Sequence, residues 1–136
     1  MRTIKFRGKH IKTGEWLYGS HYNDGAEDYI LENLPNSALG FENRQIDQNT
    51  IGQFTGLQDS KGNDIYEGDI VVATSIRIPY YGKKMTCEIV YDEQMACYDF
   101  KTNDRQRNIC VSILDVVCEV VGNVFDNSEL LKGGEQ

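Results

Sequence analysis

The sequence lacks long apolar runs, low-complexity repeats and helical periodicity, and each absence removes a class of protein. No stretch approaches the roughly 18 apolar residues that a membrane-spanning helix needs. Only 2 of the 136 residues are proline, and the composition excludes collagen-like, coiled-coil and low-complexity chains. A chain of this length buries about two thirds of its unfolded surface, so it needs neither a disulfide nor a metal to fold.

The four cysteines lack the spacing of a metal site. Cys87, Cys97, Cys110 and Cys118 are separated by seven or more intervening residues, so no Cys-x-x-Cys pair occurs. Each has apolar or aromatic neighbours, which is typical of a cysteine that packs as a small hydrophobic side chain. Residues 1–6 carry bases with no apolar run behind them, which argues against a signal peptide. We therefore expect reduced thiols in a cytoplasmic protein, with no zinc or other metal site.

Charge is distributed unevenly along the chain. Fourteen Lys and Arg stand against 21 Asp and Glu, which gives a formal net charge of −7. This balance disfavours a protein that coats nucleic acid. Residues 1–14, however, contain five bases and no acid. We interpret this segment as the solvated face of an opening hairpin, with a contact to an anion or to nucleic acid as the alternative.

Apolar and polar residues alternate at a period of two, which is typical of short β-strands. Residues 3–9 alternate, turn at Gly14 and return through residues 15–22, which predicts a hairpin. A single helical turn is predicted to begin after Asp126. The second half contains about five predicted strands, at residues 70–73, 86–92, 96–101, 109–114 and 116–125.

These elements predict a mainly β fold in two lobes. Residues 1–55 form a β-rich N-terminal lobe, and residues 56–131 form a small closed or half-closed barrel that ends in the helical turn. Closure would protect the exposed edges of so small a sheet. Residues 132–136 are predicted to be a disordered tail.

No residue pattern points to catalysis, a cofactor or a metal. Four carboxylates lie within eleven residues, but a calcium loop needs alternating oxygen ligands and Lys61 occupies the second ligand position. We interpret these carboxylates as turn-forming side chains, and a buried cleft lined by residues 64–69 would instead revive an enzyme. His10 and His21 have no evident third ligand and are interpreted as solvated. The four carboxylates are Asp59, Asp64, Glu67 and Asp69.

Motifs of nucleophilic catalysis and of phosphate binding are also missing. No serine stands in a Gly-x-Ser-x-Gly elbow, and neither a Gly-x-x-x-x-Gly-Lys loop nor a dinucleotide fingerprint occurs. We therefore predict a protein that is not an enzyme, with no catalytic residue and no cofactor.

Three segments combine glycine, aromatic and acidic residues in a specific order. They are residues 4–9 (IKFRGK) with 14–19 (GEWLYG), residues 52–71 (GQFTGLQDSKGNDIYEGDIV), and residues 120–131 (VVGNVFDNSELL). Together they resemble the YopX-like family of phage and prophage proteins, although Ser128 stands where the family pattern has proline. The resemblance implies a mostly β fold whose C-terminal part is an SH3-like barrel, an origin in a bacterial phage or mobile element, and no established activity.

One predicted loop interleaves aromatic rings with cations. Residues 77–84 contain two tyrosines and three bases but no acid. Tyrosines stack on bases and cations neutralise phosphates, while Tyr and Arg also favour protein contacts. The alternative interpretation is an ordinary mobile hairpin loop. The candidate binding residues are Arg77, Tyr80, Tyr81, Lys83 and Lys84.

Two functions follow as hypotheses. The first is a non-enzymatic phage or prophage accessory protein that acts through protein–protein contact, either with itself or with a host or phage protein. The alternative is a single-stranded nucleic-acid or regulatory binding module, which would use residues 1–12 and 77–84 as one basic surface. A homo-oligomer is expected because short sheets must cover their edges, and no membrane partner is expected.

Overall fold

The computed structural model describes residues 2–32, 41–76, 82–102, 108–109 and 116–132. The predicted mainly β class is confirmed, because the strands form two antiparallel sheets and the α-helical structure in this part of the chain is one short C-terminal helix. The chain divides into two compact units, Met1–Gly56 (unit 1) and Leu57–Gln136 (unit 2). Of the predicted tail, residues 133–136 lie outside the described residues.

Unit 1 is built on the predicted opening hairpin. Strand β1 pairs antiparallel with β2, and Phe6 lies opposite Gly19 while Lys9 lies opposite Trp16. The strand order is β3-β2-β1-β4, and β4 continues past Gly56 into unit 2, where β5 is its neighbour. The strands are β1 (Phe6–Lys9), β2 (Trp16–Asn23), β3 (Asp28–Leu31), β4 (Gly52–Gln58) and β5 (Asp64–Tyr66).

A segment between two 3₁₀ helices, Phe41–Arg44 and Gln48–Thr50, completes the core of unit 1. Its Ile46 is buried with Leu17 and Ile30. A Cβ atom on Gly8 would overlap the Ile46 side chain, so only glycine allows β1 to lie so close to it. The segment is mostly polar and forms no regular strand. The buried Ile46 holds it against the core of unit 1.

Unit 2 is built on a second sheet, and its predicted hairpin is confirmed because Asp92 lies opposite Cys97. The strand order is β10-β6-β7-β8-β9. Among the described residues β10 and β9 are the outer strands of this sheet and do not pair, so of the closed or half-closed barrel that we predicted, the closed form is not found. The elements are β6 (Asp69–Ser75), β7 (Lys84–Asp92), β8 (Cys97–Thr102), β9 (Asn108–Ile109), β10 (Val116–Asn123) and α1 (Glu129–Lys132).

Two of the four cysteines are buried in the core of unit 2, as the sequence predicts, whereas Cys97 is half-buried and Cys110 lies outside the described residues. Cys87 and Cys118 are buried with Val71, Ile89 and other apolar side chains. Burial raises the pKa of the Cys87 thiol to about 11, and the neighbouring Cys118 adds to this shift. The Cys87 thiol is therefore protonated at neutral pH and acts as an apolar packing group rather than a nucleophile.

Candidate functional site

The carboxylate of Asp59 organises the turn between β4 and β5. It is buried and accepts four hydrogen bonds from N–H groups. Its Oδ1 accepts from the backbone of Lys61 (2.9 Å) and of Asn63 (2.8 Å). Its Oδ2 accepts from the Asn63 side chain (3.2 Å) and from the backbone of Val120 in β10 (2.9 Å). The turn interpretation of this carboxylate is therefore confirmed.

The other acidic residues of this stretch also serve local structure. Asp69 is buried, and its Oδ2 accepts from the backbone N–H of Tyr66 at 2.8 Å. Asp64 accepts from the side chain of Gln58 at 3.1 Å. Asp64 and Asp69 thus accept hydrogen bonds from donors close to them in the chain. Within the described ranges, no three His, Cys, Asp or Glu side chains meet as potential metal ligands.

The Asp59 turn also covers the edge of β10. The backbone of Ser60 donates to Cys118 O at 2.9 Å, beside the Val120 bond to Asp59, and Lys61 forms an ion pair with Glu119 at 2.6 Å. Backbone groups at the middle of this outer strand are thus occupied by a turn of the same chain. Because a turn, and not a further strand, lies along this edge of β10, the sheet ends at β10 in the described part of the chain and does not close.

The edge of β3 in unit 1 is covered in a similar way. Asp28 O accepts from the backbone of Ile46 at 3.0 Å, and Ile30 O accepts from the Arg44 side chain at 2.9 Å. Strand addition by another chain is therefore blocked at these carbonyl groups. At β3 and β10 the covered backbone groups therefore give no reason to expect self-association by strand addition.

Acid is expected to weaken the Asp59 turn. Burial raises the pKa of Asp59, but hydrogen bonds from Val120, Asn63 and Lys61 outweigh it and hold that pKa below the ordinary value of 3.8. The stabilisation is therefore complete above the unfolded-state pKa and is lost as the pH falls through the lower folded-state pKa. The difference in unfolding free energy between wild type and Asp59→Asn, measured in urea, should shrink from about pH 5 to about pH 2. A constant difference would contradict this account.

The two histidines lie at different places and do not form one site. His10 is in the β1–β2 turn, where its Nδ1 accepts from the backbone of Lys12 (3.1 Å) and Thr13 (3.2 Å). His21 is on β2, and its Nε2 lies 2.7 Å from Asp28 Oδ1. Hydrogen bonds from Asn23 and then from His21 lower the pKa of Asp28. Both histidines thus reach solvent, as the sequence predicts, and each also makes a specific local hydrogen bond.

The predicted basic and aromatic loop lies mostly outside the described residues. Arg77, Tyr80 and Tyr81 belong to that undescribed part. Lys83 is exposed, and its carbonyl oxygen accepts from the backbone of Ser75 at 2.9 Å. Lys84 is exposed at the start of β7, opposite Thr74 in β6. The described part of the loop thus contributes two exposed cations on unit 2.

A second cationic and aromatic surface lies on the β1–β2 hairpin of unit 1. Pairing places Lys9 opposite Trp16 and Arg7 opposite Tyr18, so these four side chains share one face. The Trp16 ring centroid is 4.5 Å from Arg7 Cζ and 5.5 Å from Lys9 Nζ. Both cations interact with the negative face of the ring. Arg7 is only 5 % exposed, whereas Tyr18 is 46 % exposed. The buried Arg7 therefore supports the Trp16 ring, and the neighbouring Tyr18 is open to solvent.

The turn of this hairpin extends the surface. Ile11 is 50 % exposed, and Lys12 is also exposed. The backbone of Gly14 donates to His10 O at 2.9 Å, and the His10 ring accepts from the turn, so the turn has a defined shape. We call Lys9, Ile11, Lys12, Trp16 and Tyr18 the Trp16 surface. The charge pattern of residues 1–14 favours a solvated face, with a contact to an anion or to nucleic acid as the alternative. The shared parity of Arg7 with Lys9 and of Trp16 with Tyr18 could have indicated the Trp16 surface.

The β7–β8 hairpin of unit 2 carries the opposite charge. The rings of Tyr91 and Tyr98 meet edge to face with centroids 5.3 Å apart. Met95, at the turn, is 65 % exposed, and Glu93 is exposed beside it. Asp92 accepts from the backbone of Gln94 at 2.9 Å and of Met95 at 3.2 Å, which orders the turn. We call Tyr91, Glu93, Met95 and Tyr98 the Met95 tip.

The chain is thus a mainly β protein of two antiparallel sheets, and in the part described no helix is long and apolar enough to cross a membrane. The family model described as "YopX protein" matches residues 5–132, so the chain belongs to the YopX family. It is similar to the crystal structure of protein EF1440 from Enterococcus faecalis, with a TM-score of 0.53 and 23 % identity over 96 % of this chain and 99 % of that chain. At this identity the likeness shows the fold alone. No protein with a curated description matches the chain.

Proposed function

We propose that this YopX-family protein is a non-enzymatic accessory protein of a phage or prophage, that it acts in the bacterial cytoplasm, and that it contacts a protein partner through the Trp16 surface. The observation that carries the proposal is the Trp16 ring, which is held by Arg7 and Lys9 beside the half-exposed Tyr18. Trp, Tyr and Arg are the residue types that contribute most to protein interfaces. A ring fixed before binding also loses little conformational entropy on binding.

The charge of the Trp16 surface favours an acidic partner. Lys9 and Lys12 belong to a segment of 14 residues with five bases and no acid. Ile11, which is half exposed between them, offers an apolar contact. A partner with carboxylates around an apolar side chain would match this combination, since complementary charge speeds association and disfavours wrong partners.

Single-stranded nucleic acid is the second candidate for the same surface. Cations that alternate with Trp16 and Tyr18 on one sheet face support it, because bases stack on such rings and phosphates attract lysine. Two facts favour protein instead: Arg7 is buried against Trp16, and the whole chain carries a net charge of −7. A polyanion would be repelled by the rest of the molecule.

A charge-reversal variant tests the proposal. Lys9→Glu combined with Lys12→Glu should lower retention of the partner from a host lysate by about tenfold or more. Lys132→Glu, which reverses an exposed lysine in α1, is the matched control and should retain the partner. Each bait is compared by quantitative mass spectrometry, with and without nuclease treatment of the lysate.

The outcomes separate the two candidates. A partner protein that is retained after nuclease treatment, and lost only from the Lys9→Glu/Lys12→Glu bait, supports the proposal. Material that disappears with nuclease, and binds a 20-nucleotide single strand with a steep salt dependence, establishes the nucleic-acid candidate instead. Equal retention by all three baits would show that the Trp16 surface is not the contact surface.

A further inference from the structure

We propose that the protein partner of the Trp16 surface is a second copy of this chain, which docks through its Met95 tip. The inference rests on the proposed role of the Trp16 surface as a contact surface, and it adds the identity of the occupant. Each copy presents one of each surface, so the contact joins two different patches.

Charge complementarity is the first argument for this pairing. Residues 1–14 contain five bases and no acid, whereas residues 85–100 contain four acids and no base. Two oppositely charged segments thus lie on the two hairpins in question. On the Met95 tip the carboxylate of Glu93 is exposed, and on the Trp16 surface the ammonium of Lys12 is exposed. Opposed patches of this kind steer association and fix its register.

The side chains between the charges also match. Met95 projects from the turn with 65 % of its surface exposed, which is a large apolar area to leave in water. A thioether makes favourable contacts with aromatic rings, and the Trp16 surface offers Trp16 and Tyr18. The Tyr91 and Tyr98 rings brace the base of the tip against each other. The Met95 tip is therefore apolar at its end and acidic around it, which complements the rings and lysines of the Trp16 surface.

Backbone hydrogen bonds oppose strand pairing between copies at two of the sheet edges. Backbone groups at the edges of β3 and β10 are bonded to Ile46, Arg44, Ser60 and Asp59 of the same chain. Association at these edges by strand pairing would first have to break those bonds. A contact between side-chain surfaces needs no such change. A contact between unlike patches closes a two-fold dimer when both pairs of patches meet at once, and otherwise it repeats from copy to copy in a ring or a filament.

The average mass in solution tests self-association directly. Wild-type protein examined by analytical ultracentrifugation should exceed the monomer mass of 15.5 kDa increasingly as its concentration rises. Raising the salt from about 0.1 M to about 1 M should reduce that mass, since the screening length falls from about 10 Å to about 3 Å. A monomer mass at every concentration up to about 1 mM, where even weak contacts form, would overturn the inference.

Mixing two variants tests whether the Trp16 surface of one copy binds the Met95 tip of another. The surface variant is Lys9→Glu/Lys12→Glu, and the tip variant is Glu93→Lys/Met95→Lys, which spares the turn-forming Asp92. Each variant alone should be monomeric because one of its two patches repels its counterpart. Their mixture has one working surface and one working tip, so it should form a dimer that grows no further. Formation of that dimer also shows that both variants are folded.

The results also distinguish this inference from the proposed function. If the mixture stays monomeric while wild type assembles, unlike-patch docking is wrong. If wild type is monomeric but the Trp16 surface still retains a different protein from the lysate, the inference fails and the proposed function stands. If neither self-association nor retention depends on Lys9 and Lys12, both fail.

Discussion

Replacement of Asp59 by alanine is expected to lower the unfolding free energy of unit 2 by about 3–4 kcal/mol. The substitution removes a buried carboxylate that accepts four N–H groups, and it leaves those donors without an acceptor. It also uncovers the outer edge of β10, because the bond to Val120 is lost. Asparagine does not rescue this site. Each Asp59 oxygen accepts from two N–H donors, so in either orientation the amide nitrogen of asparagine would face two donors and could not accept from them.

Hydrogen exchange of the β10 and β6 amide groups measures this effect within unit 2. The matched control is Asp92→Ala, which removes another turn carboxylate of unit 2 that accepts from Gln94 and Met95 in an exposed turn. The control should cost about 1 kcal/mol, because water replaces the lost partner. Equal losses for Asp59→Ala and Asp92→Ala would contradict the central place given to Asp59.

Replacement of Gly19 by alanine is the second large effect, with an expected loss of about 3 kcal/mol or more in unit 1. Gly19 lies in β2 with a φ of 152°, which side chains of L-amino acids rarely adopt. An added Cβ atom would also collide with the carbonyl oxygen of Leu31 in β3. Backbone cannot rotate away as a side chain can, so β2 and β3 would have to separate.

Gly14→Ala is the control for backbone strain alone. Gly14 has a φ of 74°, but nothing lies within 4 Å of an added Cβ atom. Its expected cost is about 1 kcal/mol, the cost of a side chain in the left-handed region. Urea unfolding followed by Trp16 fluorescence measures both variants in unit 1. If Gly19→Ala and Gly14→Ala lower the unfolding free energy equally, the close contact between Gly19 and the Leu31 carbonyl does not determine the stability of this unit.

Local sequence pattern predicted the elements whose alternation is strong. The opening hairpin, strand β6 and the β7–β8 hairpin follow from period-two alternation that turn residues interrupt. Strands β4 and β5 were missed because glycine, asparagine and aspartate dominate residues 52–69. Strand β4 pairs with the distant β1, and the turn between β4 and β5 is bonded to β10 through Asp59 and Val120; a local pattern does not contain such contacts.

The candidate site was less predictable because it depends on register. The sequence drew attention to residues 77–84, where aromatic and basic residues are adjacent along the chain. On the β1–β2 hairpin the basic and aromatic residues that pair, Lys9 with Trp16 and Arg7 with Tyr18, are seven or more positions apart and are brought together by the register. Ile46 is a similar case, since its burial depends on β1 and β3 rather than on its polar neighbours.

The bond that joins Asp59 to Val120 has a consequence for synthesis on the ribosome. The two residues are 61 positions apart, so the chain must be almost complete before this bond forms. Until β10 emerges, strand β6 lacks one neighbour and the buried Cys87 lacks the packing that Cys118 of β10 contributes. The apolar cluster of unit 1 that contains Leu17, Ile30 and Ile46 lies within the first 51 positions, so this unit can fold earlier. A nascent chain that stops before residue 116 therefore exposes an unprotected strand edge, which is a target for chaperones and proteases.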